Sequence, residues 1–176
     1  MEEKARIWDT GGRGSGVPPA IALDESGEPT FLHVLSEDDL KTHTYYYVRR
    51  ESGQWTQTAI CGSNHQWNSG HLARDGRGVL HAYIIAGEGY LESSGEMDRH
   101  GGGRIEEWIS SDRGKSWTKR RNLAPKGMLY AGWRFNNVQP VTRPDGTAIE
   151  GMLLFYGWDD EHSARAKAFL LHEVQP

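Results

Sequence analysis

The sequence predicts an all-β protein assembled from β-propeller blades, and three observations predict it. Glycine supplies 22 of the 176 residues, accompanied by seven Trp and seven Tyr, which is typical of glycine turns between aromatic strands. Short apolar runs recur between turn signals, and no segment sustains an apolar period of about 3.6 residues, so helices are expected to be minor. The pattern repeats at roughly 40–50 residues, the spacing of four-stranded blades.

A pair of strands around a glycine turn recurs at 18–35, 69–85 and 138–158. Further strand-like runs follow each pair, at 42–50 and 54–60, at 104–110 and 116–123, and at 167–174. With the strands of a blade named A to D outward from the axis, they predict blades at 17–60 and 66–123 and an incomplete blade at 136–176. Residues 4–10 are expected to form a lone outer strand of a blade that begins elsewhere.

This count of about three blades falls short of the ~4–8 that close a propeller. Two explanations are open. The chain is a fragment of a longer propeller, or two copies form a homodimer that closes a six-bladed ring. Unpaired strand edges invite association, which favours the homodimer.

The charge and apolar patterns exclude several classes of function. The net charge is −4 with no basic stripe, so nucleic acid is not an expected partner. No run approaches ~18 apolar residues and the N-terminal stretch has no apolar core, so we expect a soluble chain without a membrane span or signal peptide. Its compartment is not indicated. Cys61 is the only cysteine, which rules out an internal disulfide.

The stretch SSDRGKSW, residues 110–117, predicts a tight turn between two strands. Ser110 and Asp112 can bond the turn amides, Gly114 can take a positive φ, and Trp117 can fold back as an apolar lid. These four residues are therefore interpreted as architectural.

That stretch, in the context GGGRIEEWISSDRGKSW, matches the Asp-box, or bacterial neuraminidase (BNR) repeat. The chain resembles Asp-box β-propellers of the sialidase-like superfamily, and most of all the propeller polysaccharide lyases, such as ulvan lyases, with their uncharacterised relatives. The first blade has only a degenerate version, RRESGQW. An Asp-box specifies a fold more than a function, because it recurs in sialidases, lyases, sorting receptors and glycan-binding modules. The sialidase alternative is disfavoured because Arg6-Ile7 is followed by Trp8, where sialidases have an Arg-Ile-Pro type motif.

In such a blade the A–B and C–D turns lie at one end, and the B–C and D–A connections gather at the other. These connections are long at 86–103, 61–68 and 124–137, and long loops are commonly functional. They are rich in aromatic, amide and arginine side chains, which suit sugars. We predict that substrate is bound by Trp67, Asn68, Arg99, His100, Trp133, Arg134 and Asn136.

The resemblance implies β-elimination on an acidic, uronate-containing polysaccharide and, for relatives of this kind, export from the cell. Tyr90 and Arg104 flank the longest loop in the manner of the Tyr and Arg pair of the propeller lyases. Arg104 would neutralise the uronate carboxylate and Tyr90 would act as acid or base. A histidine would assist, with His65, His71 and His33 as candidates.

Simpler roles compete with these assignments. His33, His71 and His81 can be satisfied strand histidines, and Arg104 can pair with Glu106 or Glu107 across a strand. The run at 45–47, three tyrosines, is expected to pack within a strand.

Other functions also remain open. A non-catalytic glycan-binding or scaffold propeller would use the same aromatics only to bind. Glu92 and Glu96 could serve as a glycosidase pair only at a separation that sequence does not give. No cofactor or metal site is predicted. Propeller lyases can carry a structural zinc, but no paired Cys/His spacing is present here.

Overall fold

The computed structural model describes residues 7–11, 13, 20–36, 42–63, 70–86, 103–123, 133–159 and 167–171, with the side chains of 133, 134, 136, 158, 159 and 167 outside the description. The regular structure in these ranges consists of β-strands in three antiparallel sheets. No helix among the described residues is long and apolar enough to cross a membrane. The all-β prediction is confirmed.

Two sheets have four strands each, in sequence order across the sheet. The first, blade 1, comprises β1 (Ala20–Leu23), β2 (Pro29–Ser36), β3 (His43–Glu51) and β4 (Gln54–Ser63). The second, blade 2, comprises β5 (Gly70–Arg74), β6 (Leu80–Ala86), β7 (Arg104–Ser110) and β8 (Thr118–Leu123). This up-and-down order is that of propeller blades.

The third sheet, blade 3, has three described strands in the order β11-β10-β9. They are β9 (Trp133–Thr142), β10 (Ala148–Asp159) and β11 (Lys167–Leu171). Strand β10 is irregular, with register shifts between Ala148 and Leu153 and between Phe155 and Tyr156.

Each blade has a turn end and a loop end. The turn end carries the tight connections 24–28, 51–54, 75–79, 111–117 and 143–147, and ion pairs such as Arg74–Glu25 at 2.6 Å join the turn ends of blades 1 and 2. The loop end carries the longer connections. There the Ser63 hydroxyl of blade 1 donates to the Ile85 carbonyl of blade 2 at 3.5 Å. Backbone bonds between Gly103 and Phe135, at 3.0 and 2.9 Å, join blade 2 to blade 3.

The core lies between the blades, because alternate residues of each strand point to opposite faces of its sheet. We call the face of a blade that points toward the preceding blade its leading face, and the opposite one its trailing face. Leu32, Val34 and Tyr45 on the trailing face of blade 1 pack on Leu72 and Ile84 of the leading face of blade 2.

The trailing face of blade 2 packs on the leading face of blade 3 through a second cluster. Ile85 and Ile105 contribute from blade 2, and Phe135, Val138 and Phe155 from blade 3. All five side chains are at most 1% exposed. Burial between sheets is therefore what holds the three blades together.

The segment 4–10, predicted as a lone outer strand, behaves differently where it is described. Residues 7–10 form no strand, and 4–6 lie outside the described residues. The Trp8 ring packs edge-on against Tyr46 at 5.0 Å and His33 at 6.1 Å, on the leading face of blade 1. Aromatic packing on this face replaces strand pairing for these residues.

Candidate functional site

The turn 110–117 has the contacts predicted for it. The Asp112 carboxylate accepts bonds from the amides of Lys115 and Ser116 at 3.0 and 2.9 Å, and the Ser110 hydroxyl accepts from the Gly114 amide at 2.8 Å. Bonds from Ser116, first through its hydroxyl and then through its amide, hold the pKa of Asp112 well below its usual range. Gly114 has φ +84°, and Trp117 packs on Tyr47 of blade 1 with ring centroids 5.4 Å apart. The turn therefore fastens blade 2 to blade 1.

A buried polar network lies on the trailing face of blade 2. The Glu107 side chain is 1% exposed, and its oxygens accept from Arg121 Nε at 2.6 Å and from Arg120 at 3.3 Å. His81 Nδ1 lies 2.8 Å from Glu107 Oε1, and His81 Nε2 lies 3.6 Å from Asp75 Oδ2. Burial alone would raise the pKa of Glu107, but its bonds to His81 and Arg121 lower it. His81 is thus held in the strand by one hydrogen bond, through Nδ1, while its buried Nε2 has no hydrogen-bond partner among the described residues.

Arg104 lies at the loop end, at the start of β7 and opposite Ala86. Its side chain is exposed, and it makes no hydrogen bond or ion pair with any residue in the described ranges. The two glutamates that could have paired with it are engaged elsewhere. Glu106 is bonded by Lys119 and by the Trp108 indole, and Glu107 belongs to the network just described. An exposed arginine at the loop end of a blade can bind a carboxylate from solution.

His43 is a residue that the sequence prediction missed. It begins β3 at the loop end of blade 1, is fully buried, and its Nδ1 lies 2.9 Å from the Ser36 hydroxyl. Ser36, His43 and Ser63 pair across three strands on the trailing face of blade 1. The side chain of Arg104 belongs to the leading face of blade 2, which packs on that trailing face. The available sequence signal was the position of His43 as the first residue after the B–C loop of blade 1.

The two described candidates for the assisting histidine lie on other faces. His33 is on the leading face of blade 1, and burial lowers its pKa. His71 is on the trailing face of blade 2, stacked on Tyr83 at 6.0 Å, and burial lowers its pKa to about 4. Neither shares with Arg104 the space between blades 1 and 2.

The remaining predicted site residues fall into two groups. Tyr90, His65, Trp67, Asn68, Arg99 and His100 lie outside the described residues, as do Glu92 and Glu96. Trp133, Arg134 and Asn136 belong to β9, with their side chains outside the description.

No group of three or more His, Cys, Asp or Glu side chains suited to a metal ion occurs within the described ranges. Cys61 is half-buried, and burial, followed by the nearby Glu106 carboxylate, raises the pKa of its thiol to about 12. A thiol with that pKa is a poor nucleophile and a poor metal ligand.

Comparisons with known proteins agree with this architecture. Over 95% of the chain the fold matches a polysaccharide lyase of family PL25, an ulvan lyase, with TM-score 0.64 and 15% sequence identity. A structure of a PL25 ulvan lyase bound to -[GlcA(1-4)Rha3S]- matches with TM-score 0.63 and 14% identity. The fold is that of β-propeller blades. The chain spans 34% of the length of these lyases.

A more distant likeness, with TM-score 0.45 and 12% identity over 90% of the chain and 42% of the other, is to a GH43 β-1,3-galactosidase with galactodeoxynojirimycin. No protein-family model matches the chain, and a search of curated proteins gives no match.

Proposed function

We propose that this chain belongs to a carbohydrate-active propeller that cleaves an acidic, uronate-containing polysaccharide by β-elimination. The observation that carries the proposal is the exposed Arg104 guanidinium at the loop end, which no described residue pairs. A guanidinium fork binds a carboxylate bidentately, as recognition of a uronate requires. The fold likeness to a polysaccharide lyase supports the same substrate class. Because the chain spans a third of that lyase, both activity and substrate are proposals.

In the proposed reaction the Arg104 guanidinium neutralises the C6 carboxylate, which acidifies the proton on C5. A base removes that proton, a double bond forms between C4 and C5, and the bond from C4 to O4 breaks. An acid then protonates the departing O4. Tyr90 is proposed as acid or base. Of the three candidate histidines, His65 is the one proposed to assist, since His71 and His33 lie on faces that do not meet Arg104. Binding of the flanking sugars is assigned to Trp67, Asn68, Arg99, His100, Trp133, Arg134 and Asn136.

His43 is proposed as a positioning residue for this site. Its imidazole is fully buried, so it does not touch substrate, but it lies in the row Ser36–His43–Ser63 that faces the leading side of blade 2. The Ser63 hydroxyl at the end of that row bonds the Ile85 carbonyl, one residue before the partner of Arg104. Loss of this row would shift the strand end that carries Arg104.

The turn 110–117 is proposed to be an Asp-box with a structural role, since Ser110, Asp112, Gly114 and Trp117 are all engaged within the turn or against Tyr47. No cofactor is proposed. A second copy of the chain is the other proposed partner, because blades 1 and 3 each expose large apolar side chains, Ile21 and Leu23 on blade 1 and Leu154 and Leu170 on blade 3.

A non-catalytic glycan-binding propeller is the second candidate. It is favoured by the placement of His33 and His71, which lie on faces that do not meet Arg104. In that case Arg104 would hold an acidic sugar without turnover.

The proposal is tested by incubating the full chain with a panel of uronate-containing polysaccharides and following ultraviolet absorption of unsaturated uronyl ends. Arg104→Ala is expected to lower kcat/KM on the order of 100-fold or more, and Tyr90→Phe to abolish turnover while sparing binding. Arg113→Ala, an exposed arginine at the turn end, is the matched control and should leave the rate unchanged.

An active chain whose rate is unaffected by Arg104→Ala would overturn the assigned role. Binding of an acidic oligosaccharide that depends on Arg104, without any unsaturated product, would favour the glycan-binding candidate.

A further inference from the structure

We infer that two copies of the chain associate head to tail, with the leading face of blade 1 in one copy packed on the trailing face of blade 3 in the other. This inference rests on the homodimer proposed above and names its interface. It does not depend on lyase activity.

Both faces expose large apolar side chains. On the leading face of blade 1, Ile21 is 65% and Leu23 64% exposed. On the trailing face of blade 3, Leu154 is 47% and its cross-strand partner Leu170 49% exposed. Blade 2 has another blade packed on each face. The exposed apolar side chains therefore sit on the two faces that no described blade covers. Trp8 packs on Tyr46 and His33 of the leading face of blade 1, whereas Ile21 and Leu23 of the same face stay exposed, so the proposed contact is made through the inner strand.

The first glycine turn of each blade allows the blades to be aligned residue by residue. Asp24, Asp75 and Arg143 each donate their amide to the carbonyl four residues on. Three residues after each stands a glycine with φ between +80° and +85°. Ile21 lies three residues before Asp24 and Leu72 lies three residues before Asp75, so Ile21 of blade 1 is equivalent to Leu72 of blade 2. Leu72 is 3% exposed, buried between blades 1 and 2.

The same alignment places Leu154 at an inter-blade position. Leu154 pairs with Gln139 of the inner strand, which is equivalent to Ala20 in blade 1. Ala20 pairs with Leu32, so Leu154 is equivalent to Leu32. Leu32 and Leu72 belong to one buried cluster between blades 1 and 2. Their equivalents Leu154 and Ile21 are thus the pair that meets when blade 3 packs on blade 1.

At the turn end, the residues that would meet across the proposed contact are both apolar. Between blades 1 and 2, Arg74 at the end of the inner strand of blade 2 pairs with Glu25 in the first turn of blade 1 at 2.6 Å. The positions equivalent to Arg74 and Glu25 across the proposed contact are Leu23 in blade 1 and Pro144 in blade 3. The charged pair is replaced by an apolar pair on both sides.

The two positions are also matched in the contact between blades 2 and 3. There the residue equivalent to Arg74 is Thr142 and the residue equivalent to Glu25 is Gly76, so neither side carries a charge without a partner. A blade that brought a carboxylate beside Leu23, as Glu25 is brought beside Arg74, would meet no arginine there and would place a charge against an apolar side chain. The trailing face of blade 3 brings a proline, and a second copy of this chain therefore suits the leading face of blade 1.

Two such contacts related by a twofold axis give a ring of six blades, within the ~4–8 found in closed propellers. Head-to-tail contacts of this kind either close into a ring or extend into a filament, and the wedge-like stacking of blades sets which one forms.

The test uses two charge variants of the full chain, Ile21→Glu and Leu154→Lys, with the mass in solution measured by light scattering after size exclusion. The unaltered chain is expected at twice the 19.8 kDa of one copy. Each variant alone should be a monomer, with the dimer Kd raised about 30-fold or more, because both of its contacts contain a buried charge. The matched control is Thr118→Glu on the exposed outer strand of blade 2, which should stay dimeric.

Mixing the two variants tests the arrangement directly. A mixed dimer has one contact between unaltered faces. In its other contact the carboxylate introduced at position 21 would face the ammonium introduced at position 154, so we expect the mixture to form dimers again. Circular dichroism of each variant checks that the blades remain folded. As a second measurement, a mixture of Ile21→Cys and Leu154→Cys chains should give a two-chain product with a short bismaleimide cross-linker, and neither chain mixed with the control Thr118→Cys should do so.

The outcomes separate the claims. A monomeric unaltered chain overturns both the homodimer and its interface. A dimer that both charge variants retain overturns this interface alone. Monomeric variants that do not recover on mixing overturn the head-to-tail arrangement. None of these results bears on whether Arg104 takes part in catalysis.

Discussion

The Gly114 backbone lies directly against the Tyr47 ring, so that a Cβ added at Gly114 would overlap it. Tyr47 belongs to the third strand of blade 1 and Gly114 to the last turn of blade 2. The turn is thus more than a connection within one blade. Through this contact the turn end of blade 2 packs against blade 1.

Gly114→Ala should lower the free energy of unfolding by about 3 kcal/mol, because it adds the cost of a positive φ to a steric overlap with Tyr47. Urea denaturation followed by tryptophan fluorescence measures it. Gly146→Ala is the matched control. Its φ of +85° is nearly the same but no atom lies within 4 Å of the added Cβ, so about 1 kcal/mol is expected. Equal losses in both variants would contradict the contact.

Asp75 should make stability fall in acid. Burial alone would raise the pKa of Asp75, but bonds from the Val79 amide and the Arg77 side chain outweigh it and lower the pKa from 3.8 to about 2. A folded-state pKa below the unfolded one means that the stabilisation is present above about pH 4 and is lost as the pH falls through 2.

Urea denaturation of Asp75→Asn and of the unaltered chain at pH 6 and near pH 2 tests this. The variant should lose less stability between the two conditions. Both proteins should show the same change between pH 8 and pH 9, a range above the usual titration of carboxylates and imidazoles. An identical acid loss in both chains would show that Asp75 does not contribute.

Glu107→Gln should be strongly destabilising, by roughly 3 kcal/mol, because it removes a buried carboxylate that pairs with Arg121 and Arg120 and is hydrogen-bonded to His81. Thermal and urea unfolding both report it. Glu51→Gln removes a carboxylate that also pairs with an arginine, Arg49 at 2.8 Å, but is 44% exposed. That control should cost less than about 1 kcal/mol. Similar losses at the two positions would argue against a buried network.

Cys61 should react slowly with thiol reagents in the folded protein. With its pKa near 12 instead of 9, the thiolate fraction is lower on the order of 1000-fold at mildly alkaline pH. Iodoacetamide labelling followed by mass spectrometry measures the rate. The same labelling in concentrated urea is the control and should be fast. Rapid modification under native conditions would contradict the burial of this thiol.

Several features of the fold could be predicted from local sequence signals. Glycine turns such as Asp75-Gly76-Arg77-Gly78 are short-range events, since an Asp side chain bonds amides two and four residues away whatever surrounds it. The alternation of Tyr45, Tyr46 and Tyr47 is also local. The first and third are buried between blades and the second meets Trp8, as a strand requires.

The site could be predicted less well, because its assembly depends on which face of which sheet a residue occupies. His33, His71 and His43 all carry the same imidazole in strand-like contexts. Only the pairing of strands puts His33 on the leading face of blade 1, His71 on the trailing face of blade 2, and His43 between the two blades. A shift of one residue in register would exchange these faces.

By itself the sequence determined the strands, the glycine turns and the residues with chemistry suited to an acidic sugar, because these follow from backbone preferences and side-chain groups. Only the tertiary structure decided that Arg104 is exposed with no partner in the described part of the chain, while Glu106 and Glu107 are taken by Lys119, Arg120 and Arg121. Competition among cations for two carboxylates depends on distances across strands, and those distances exist only once the sheet has formed.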